Sequence, residues 1–500
     1  MKPVMMFIVV LLPVLTGISI PLFPFQKKIF MPIFLESLIT LNSLLVFGLL
    51  VSPPDNNFAI VKFTGDLTLS FRMDGMSMVF GGLVSALWPL ATLYSFEYMK
   101  HEKNKKSFFM FYTMTYGVTL GIAFAEDLMT MYFFYELLTL VTVPLVIHTL
   151  TREAVLASRK YLYYSLGGAA FGFLGMIFVI VYSMSPDFVL GGALDLAKIG
   201  NRTDVLLLIY VLAFLGFGVK AAIFPFNGWL PDAGVAPTPV TALLHAVAVV
   251  KAGAFAIIRL TYYCFGVDFL QGTWAQTVVM TVTIFTLIYG CSRALKETHI
   301  KRRLAYSTIS NLSYILFGVT IMTPLGLLGA LSHMIFHAIM KICCFFCAGA
   351  IIYKTEKNYI HELNGLGKKM PWTFGIFTIA SLALMGVPGL CGFISKWNLA
   401  NAAIVSDNDL AYIGVGALLV SALLTAIYML SIVIRAFFMS NEQPDEDDVN
   451  ERIIVKKENI KDPNWLMRFP LVLFVLAMVI FGLCSTPITE FLIRVTEGVY

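Results

Sequence analysis

The sequence predicts an all-α polytopic membrane protein of about 14 transmembrane helices, on three observations. Of its 500 residues, 58% are hydrophobic and only 13% charged, with a mean hydropathy of +0.82; an ordinary soluble domain carries about 25% charged residues. The apolar residues gather into runs of the length, about 20 residues, that crosses a hydrocarbon core of about 30 Å. The basic residues fall mainly in alternate loops. A soluble fold this apolar has too few polar groups to cover its surface, so a soluble enzyme, a disordered chain and a nucleic-acid binder are excluded. The seven cysteines are scattered, several inside apolar runs, and imply no disulfide framework.

The apolar runs lie near residues 3–23, 30–51, 76–99, 108–125, 127–149, 163–185, 204–223, 237–262, 275–291, 304–322, 325–353, 372–398, 408–438 and 466–486. The first is too long for a signal-peptide core and lacks a small-x-small cleavage site, so it reads as a membrane helix. Residues 57–72 alternate apolar and polar side chains and predict a short surface β-hairpin with Thr64-Gly65-Asp66 at its turn. Glu126 and Asp127, in a short loop where the fourth and fifth runs meet, are expected to be solvated. Gly216, Gly218, Pro225 and Pro231 predict a break around the end of the seventh run, and Gly386, Pro388, Gly389 and Gly392 predict another inside the twelfth. The long polar insertion, 441–462, opens with Glu442, Asp445, Glu446, Asp447 and Asp448 and continues with Lys456 and Lys457. It reads as a solvated loop holding a short surface helix at most.

Orientation follows from the basic residues. Lys27 and Lys28 follow the first run, Lys100, Lys103, Lys105 and Lys106 the third, and Arg152, Arg159 and Lys160 the fifth. Arg293, Lys296, Lys301, Arg302 and Arg303 follow the ninth, and Lys354, Lys357, Lys368 and Lys369 the eleventh. A cluster over 452–468 follows the thirteenth, while the even loops carry little beyond Lys62, Arg72, Lys198 and Arg202. The odd loops are therefore expected on the cytoplasmic side of the cell's inner (cytoplasmic) membrane, with both termini outside.

Function is sought among ionisable residues inside apolar runs, because placing such a group in hydrocarbon costs at least about 2.5–3.5 kcal/mol. Glu136 lies half-way through the fifth run, too deep to reach the interface. Lys220 sits beside the predicted break; it either serves a site there or snorkels to the headgroups. Lys251 lies deep in the eighth run. His245, six residues earlier, is as well explained by a buried hydrogen-bonded histidine. His333, His337 and Lys341 recur every four residues and so share one stripe of a helix. That pattern suits a proton relay or a water-lined path; a metal site is the rival, and two histidines without a third ligand make a weak one. Lys396 follows the second break, where a helix interruption is tolerated only against protein or water; snorkelling is its alternative. Cys343, Cys344 and Cys347 face different sides of a helix and read as packing residues. No zinc-protease, haem-attachment, dinucleotide or iron–sulfur spacing occurs, so no catalytic residue, metal or cofactor is expected in this chain.

The segment from Gly216 through Lys220, Pro225, Trp229 and Pro231 to Ala233, continued by Ala236 to His245 and by Lys251 to Gly253, resembles the signature of the antiporter-like membrane subunits. Asp74-Gly75, Tyr94-Ser95 with Tyr98-Met99, Lys301 to Thr308, and Gly386 to Pro388 with Gly392-Phe393 extend the resemblance over most of the chain. That family comprises the antiporter-like subunits of respiratory complex I, the D-type component of Mrp sodium/proton antiporters and the large membrane subunits of group 4 energy-converting hydrogenases. The resemblance implies fourteen helices containing two inverted five-helix repeats, with the seventh and twelfth helices broken. On this chain it implies N-terminal helices with a hairpin over 1–107, repeats over 108–262 and 275–438, and a polar loop with a last helix over 439–500. It places the family's ion-translocating residues on Glu136, Lys220, Lys251, His333, His337, Lys341 and Lys396. Asn227 stands where most complex I subunits carry histidine, and 237–259 looks most like the hydrogenase and Mrp branches.

The expected function is translocation of protons, or of protons and sodium, by one subunit of a membrane redox complex such as a group 4 hydrogenase or a complex I relative. The other reading is a D-type component of a multi-subunit Mrp exchanger without redox chemistry, and a third is a scaffold that has lost transport. Its partners are then other membrane subunits, lipid and the transported ions. A carboxylate near a buried lysine favours the charged form, and burial without one disfavours it. Separating Glu136 from Lys220 is therefore expected to drive a proton toward Lys251, with His333, His337 and Lys341 carrying it on to Lys396 and out along a hydrated axis, the energy supplied by partner subunits or an ion gradient.

Overall fold

A computed structural model describes residues 2–23, 29–64, 67–439 and 460–499. It opens with α1 (Lys2–Ser19) and α2 (Phe30–Val51), followed by the hairpin β1 (Phe58–Thr64) and β2 (Leu67–Phe71). The strands pair antiparallel, Phe58 opposite Phe71 and Lys62 opposite Thr68. The two predicted turn residues after Thr64 lie outside the described residues. So do Lys27, Lys28 and the polar insertion up to residue 459.

Next come α3 (Gly75–Tyr98), α4 (Lys105–Ala123), α5 (Leu128–Val146), α6 (Arg152–Tyr182) and α7 (Thr203–Gly218). The centre of the chain forms α8 (Thr238–Ala246), α9 (Val249–Ile258), α10 (Trp274–Lys296), α11 (Ile300–Thr320) and α12 (Pro324–Thr355). It closes with α13 (Pro371–Met385), α14 (Cys391–Val405), α15 (Asp409–Phe438), α16 (Trp465–Leu483) and α17 (Thr486–Thr496). Polar side chains start these apolar helices: Asp74, Asp127, Thr151, Thr273 and Thr323 each accept a hydrogen bond from a backbone N–H of the first turn of α3, α5, α6, α10 and α12.

Among the described residues, ten helical spans are long and apolar enough to cross a membrane, and α7 and α13 are shorter apolar helices. The number is below the fourteen predicted runs for physical reasons. Breaks shorten α7 and divide the twelfth run into α13 and α14. α4 and α11 are diluted by side chains such as Tyr112, Thr113, Tyr116, Ser307, Ser310 and Asn311, all buried against other helices.

The core sits on two elements. The span 238–265 is buried over 100% of its most apolar stretch and α12 over 94%, against 33% for α1 and α2 and 28% for α16. Protein, not lipid, therefore surrounds the segments that carry His245, Lys251, His333, His337 and Lys341. The eighth run, predicted as continuous, is interrupted at Val247–Ala248, where the Ala248 N–H reaches back five residues to the Leu243 carbonyl at 2.9 Å. Such a wide turn inserts a residue between two helical halves, and here it falls between His245 and Lys251. Residues 259–265 continue as π-helix.

Glu126 and Asp127 are not solvated, as the sequence suggested, but buried. The hairpin folds over them: Asn57 donates to both Glu126 oxygens, at 3.0 and 3.1 Å, and Ser70 donates to Asp127 at 3.2 Å. Asp127 also caps α5 through the Thr130 N–H at 2.7 Å. Burial pushes its carboxyl up to about 6 in spite of these bonds. At the start of α3, burial pushes the Asp74 carboxyl up, but the fully buried Arg259 guanidinium and the Ser77 bonds outweigh it and hold the group down at about 2. Arg259 grips both Asp74 oxygens, at 2.5 and 2.7 Å, tying α3 to the π-helical segment.

Candidate functional site

α7 ends at Gly218, and Lys220 follows immediately in the irregular segment that leads to Trp229. A helix end leaves carbonyls without intrahelical donors; the indole N–H of Trp229 takes one of them, Val219, at 2.8 Å. The Lys220 side chain is buried and its Nζ lies 3.5 Å from Glu136 Oε1 on α5. It also donates to the Tyr135 carbonyl and stands 3.4 Å from the centroid of the Tyr135 ring. Glu136 Oε1 has no hydrogen-bond donor of its own, so the pair is held by charge rather than by a tight bond. α9 approaches this break through Gly253, where a Cβ would lie 2.5 Å from Ala221 N and 3.0 Å from Lys220 Cβ.

A second group joins α9, α12 and α14. Lys251 Nζ is 2.7 Å from His337 Nδ1. One turn along α12, His333 stacks on His337 with ring centroids 5.7 Å apart. His333 Nδ1 is 2.9 Å from Ser395 Oγ, the residue before Lys396. Both Nε2 atoms are buried without a partner. Lys396 donates to the carbonyls of Leu384 and Met385, at 2.7 and 3.1 Å. These are the last carbonyls of α13, freed where the chain turns at Gly386 with φ of +91°. No carboxylate faces Lys396 among the described residues; the Tyr314 ring lies 5.1 Å from its Nζ instead.

Two of the predicted residues stand apart from this group. Lys341 donates to Ser307 Oγ on α11 at 2.7 Å, and Tyr428 of α15 donates to the same oxygen at 2.8 Å. Lys341 therefore branches away from the histidines toward α11 and α15. His245 has no partner at either ring nitrogen and packs 4.9 Å from the Phe345 ring. Among the described residues, no group of three or more His, Cys, Asp or Glu side chains is placed to hold a metal ion.

On the face formed by the basic loops, a cavity of about 890 Å³ is lined by Lys160, Asp232, Glu297, His299, Lys301 and Arg302, with other residues. Lys160 and Arg302 both reach Asp232, at 2.7 and 3.5 Å. Lys301 lines the cavity and donates to the Ala236 carbonyl just before α8. Sequence reasoning passed over Lys301 because it sits among loop cations. It passed over Ser307, Ser395, Tyr135, Tyr314 and Tyr428 because their roles depend on which helix they meet; Tyr135 alone carried a signal, being the neighbour of Glu136.

Chemically, the arrangement offers a Lys–Glu pair, a Lys–His–His–Ser chain that ends one residue before Lys396, and a Lys–Ser–Tyr branch. All consist of groups that bind and release protons or exchange hydrogen bonds.

Residues 125–425 match the family described as NADH:quinone oxidoreductase/Mrp antiporter, transmembrane. Residues 62–109 match the N-terminal family of NADH-ubiquinone oxidoreductase (complex I) chain 5. The chain is 31% identical to the NADH-quinone oxidoreductase subunit N of Desulforudis audaxviator over 372 residues, 73% of this chain and 72% of that protein. It is 31% identical to the A component of the Na+/H+ antiporter of Alkalihalophilus pseudofirmus, over 67% of this chain and 43% of that protein. Its fold is similar to a chain of the membrane-bound sulfane sulfur reductase, an archaeal respiratory membrane complex, with a TM-score of 0.83 at 22% identity, over 99% of this chain and 97% of that one.

Proposed function

We propose that this chain, which belongs to the NADH:quinone oxidoreductase/Mrp antiporter transmembrane family, translocates protons as an antiporter-like subunit of a multi-subunit membrane complex. The observation that carries the mechanism is the row of titratable side chains from the half-buried Glu136 with Lys220, through the buried Lys251, His337 and His333, to the half-buried Lys396. Groups of this kind are expensive inside a membrane protein and are kept where they work.

The working cycle follows from the geometry. With Glu136 close, the ammonium of Lys220 is stabilised by the carboxylate, the Tyr135 carbonyl and the Tyr135 ring. Drawing Glu136 away removes the charge that holds the proton, and the proton passes toward Lys251. Neutral His337 accepts it from Lys251, His333 continues the line, and Ser395 leads to Lys396, which hands it out. Lys341 with Ser307 and Tyr428 forms a side branch, and the cavity at Lys301 is the mouth on the basic face. His245 serves the same path from the far side of the wide turn.

The architecture in this reading has fourteen helices, with two inverted five-helix repeats over 108–262 and 275–438 flanked by 1–107 and 439–500. Lys220 over Tyr135 in one half and Lys396 over Tyr314 in the other support it. The basic loops face the cytoplasm and both termini lie outside the inner membrane. The energy comes from partner subunits, with a redox complex of hydrogenase or complex I type as the parent. The identity with an Na+/H+ antiporter component favours, as second reading, an exchanger that also moves sodium. Purifying the tagged chain with its native partners separates the two: redox subunits in the complex support the first, small exchanger subunits by themselves the second. Proton uptake into vesicles carrying the complex tests the mechanism. Lys251→Ala is expected to abolish it while leaving assembly intact, and unchanged uptake would overturn the row.

A further inference from the structure

A second seam of buried polar groups lies between α2, α3 and α4, away from every residue of the lysine row. Glu36 is six residues into α2, about 9 Å along the axis at 1.5 Å per residue. Thr40 and Ser43 follow at spacings of four and three and share its face. Ser43 Oγ is 2.8 Å from the Tyr116 hydroxyl of α4, and Tyr116 donates to Ser85 of α3 at 3.0 Å. These two bonds set the register of the three helices. One turn earlier on α4, Tyr112 shares the face of Tyr116. The Trp88 ring of α3 packs on both tyrosines, at 5.6 and 5.0 Å.

This seam is unusually short of partners. Glu36 Oε2, both amide atoms of Asn42, Trp88 Nε1, the Tyr112 hydroxyl and Thr113 Oγ1 are all buried with no hydrogen bond. Asn42, Trp88 and Tyr112 are fully buried, and Thr113 is 1% exposed. Buried polar atoms are normally paired, and an orphan costs about 1–3 kcal/mol. A cluster of orphans along one helix seam therefore points to a ligand. The oxygens are strung over two helical turns rather than converging on one point, which suits proton hand-over and not a metal shell.

We propose that α2, α3 and α4 enclose a second proton-binding site, separate from the lysine row, in which the Glu36 carboxylate takes up and returns a proton and the hydroxyls of Tyr112, Tyr116, Ser43 and Ser85 carry it along the seam. The proton comes from water as hydronium, forms the O–H bond on Glu36 and leaves by the reverse step. Infrared difference spectra of the native complex in lipid vesicles, recorded as the pH is stepped down, test this. Wild type is expected to gain a protonated-carboxyl C=O band that shifts in D2O and is missing in Glu36→Gln, while Glu136→Gln keeps it. Tyr112→Phe is expected to retain the band at a moved frequency. Superimposable wild-type and Glu36→Gln spectra would overturn the proposal, and so would a band displaced by sodium at constant pH. Should Glu36→Gln fail to assemble, an unmoved band in Tyr112→Phe overturns it.

Discussion

Two carboxylates in this chain face buried cations, and they are built differently. Asp74 and Arg259 meet through two bonds of 2.5 and 2.7 Å, with the Ser77 N–H adding a third at 2.9 Å. Glu136 and Lys220 stand 3.5 Å apart, with Glu136 Oε1 lacking any donor. The guanidinium fork matches a carboxylate and fixes its geometry, whereas the ammonium is a point charge on a flexible stem. The first pair is a clasp between α3 and the π-helical segment. The second is loose enough to be made and unmade. Lys396 completes the series: it has helix-end carbonyls and a ring for company.

The strongest way to break this contrast is to remove the clasp. Asp74→Ala leaves Arg259 buried without its counter-charge, and the expected cost is about 3–5 kcal/mol. That should appear as loss of folded protein from detergent-solubilised membranes on mild heating. If Asp74→Ala is as heat-stable as wild type, the clasp is no clasp.

Glu136→Gln should do the opposite. Its side chain is 23% exposed and its bond is long, so heat stability should barely change. Proton uptake into vesicles, however, should fall at least about tenfold, the effect of about 1.4 kcal/mol. Uptake and stability falling together would erase the distinction between the two pairs.

A finer test sits at the second lysine. Tyr314→Leu removes the ring beside Lys396, for an expected cost of about 0.5–1 kcal/mol and a roughly two- to fivefold slower uptake. Tyr314→Phe keeps the ring and loses only the hydroxyl bond to the Leu418 carbonyl, so its rate should stay within about twofold of wild type. Equal rates for the two variants would remove the ring from the account.

The smallest effect concerns pH. Folded Asp127 titrates near 6, against about 3.9 for an unfolded aspartate. The folded state therefore holds a proton that the unfolded chain releases. The resulting stabilisation is complete below about pH 4 and is lost as the pH rises through about 6. Asp127→Asn should flatten heat stability across that window, and an unchanged slope would show that the hairpin does not isolate this carboxyl.

The membrane class was legible because apolar length and loop charge are properties of single segments. Glu136, Lys220, Lys251, His333, His337, Lys341 and Lys396 stood out because each interrupts an apolar run. Their partners did not: that Lys251 meets His337 rather than His245, or that Lys341 turns to Ser307, depends on which helices are neighbours. The wide turn at Val247–Ala248 was hidden because no Gly or Pro marks it. Glu126 and Asp127 were misjudged because two helices, α3 and α4, separate them in sequence from the hairpin that covers them.

Gly253 carries one last consequence. With a side chain excluded there by the Ala221 nitrogen and the Lys220 main chain, the backbone under Lys220 is wedged in place. Changes in the reach of its ammonium then fall to the torsions of a four-carbon tether. Exposed side-chain torsions hop in picoseconds to nanoseconds, but this ammonium is buried against Tyr135 and Glu136, so in the proposed cycle its movement waits on the loosening of those contacts.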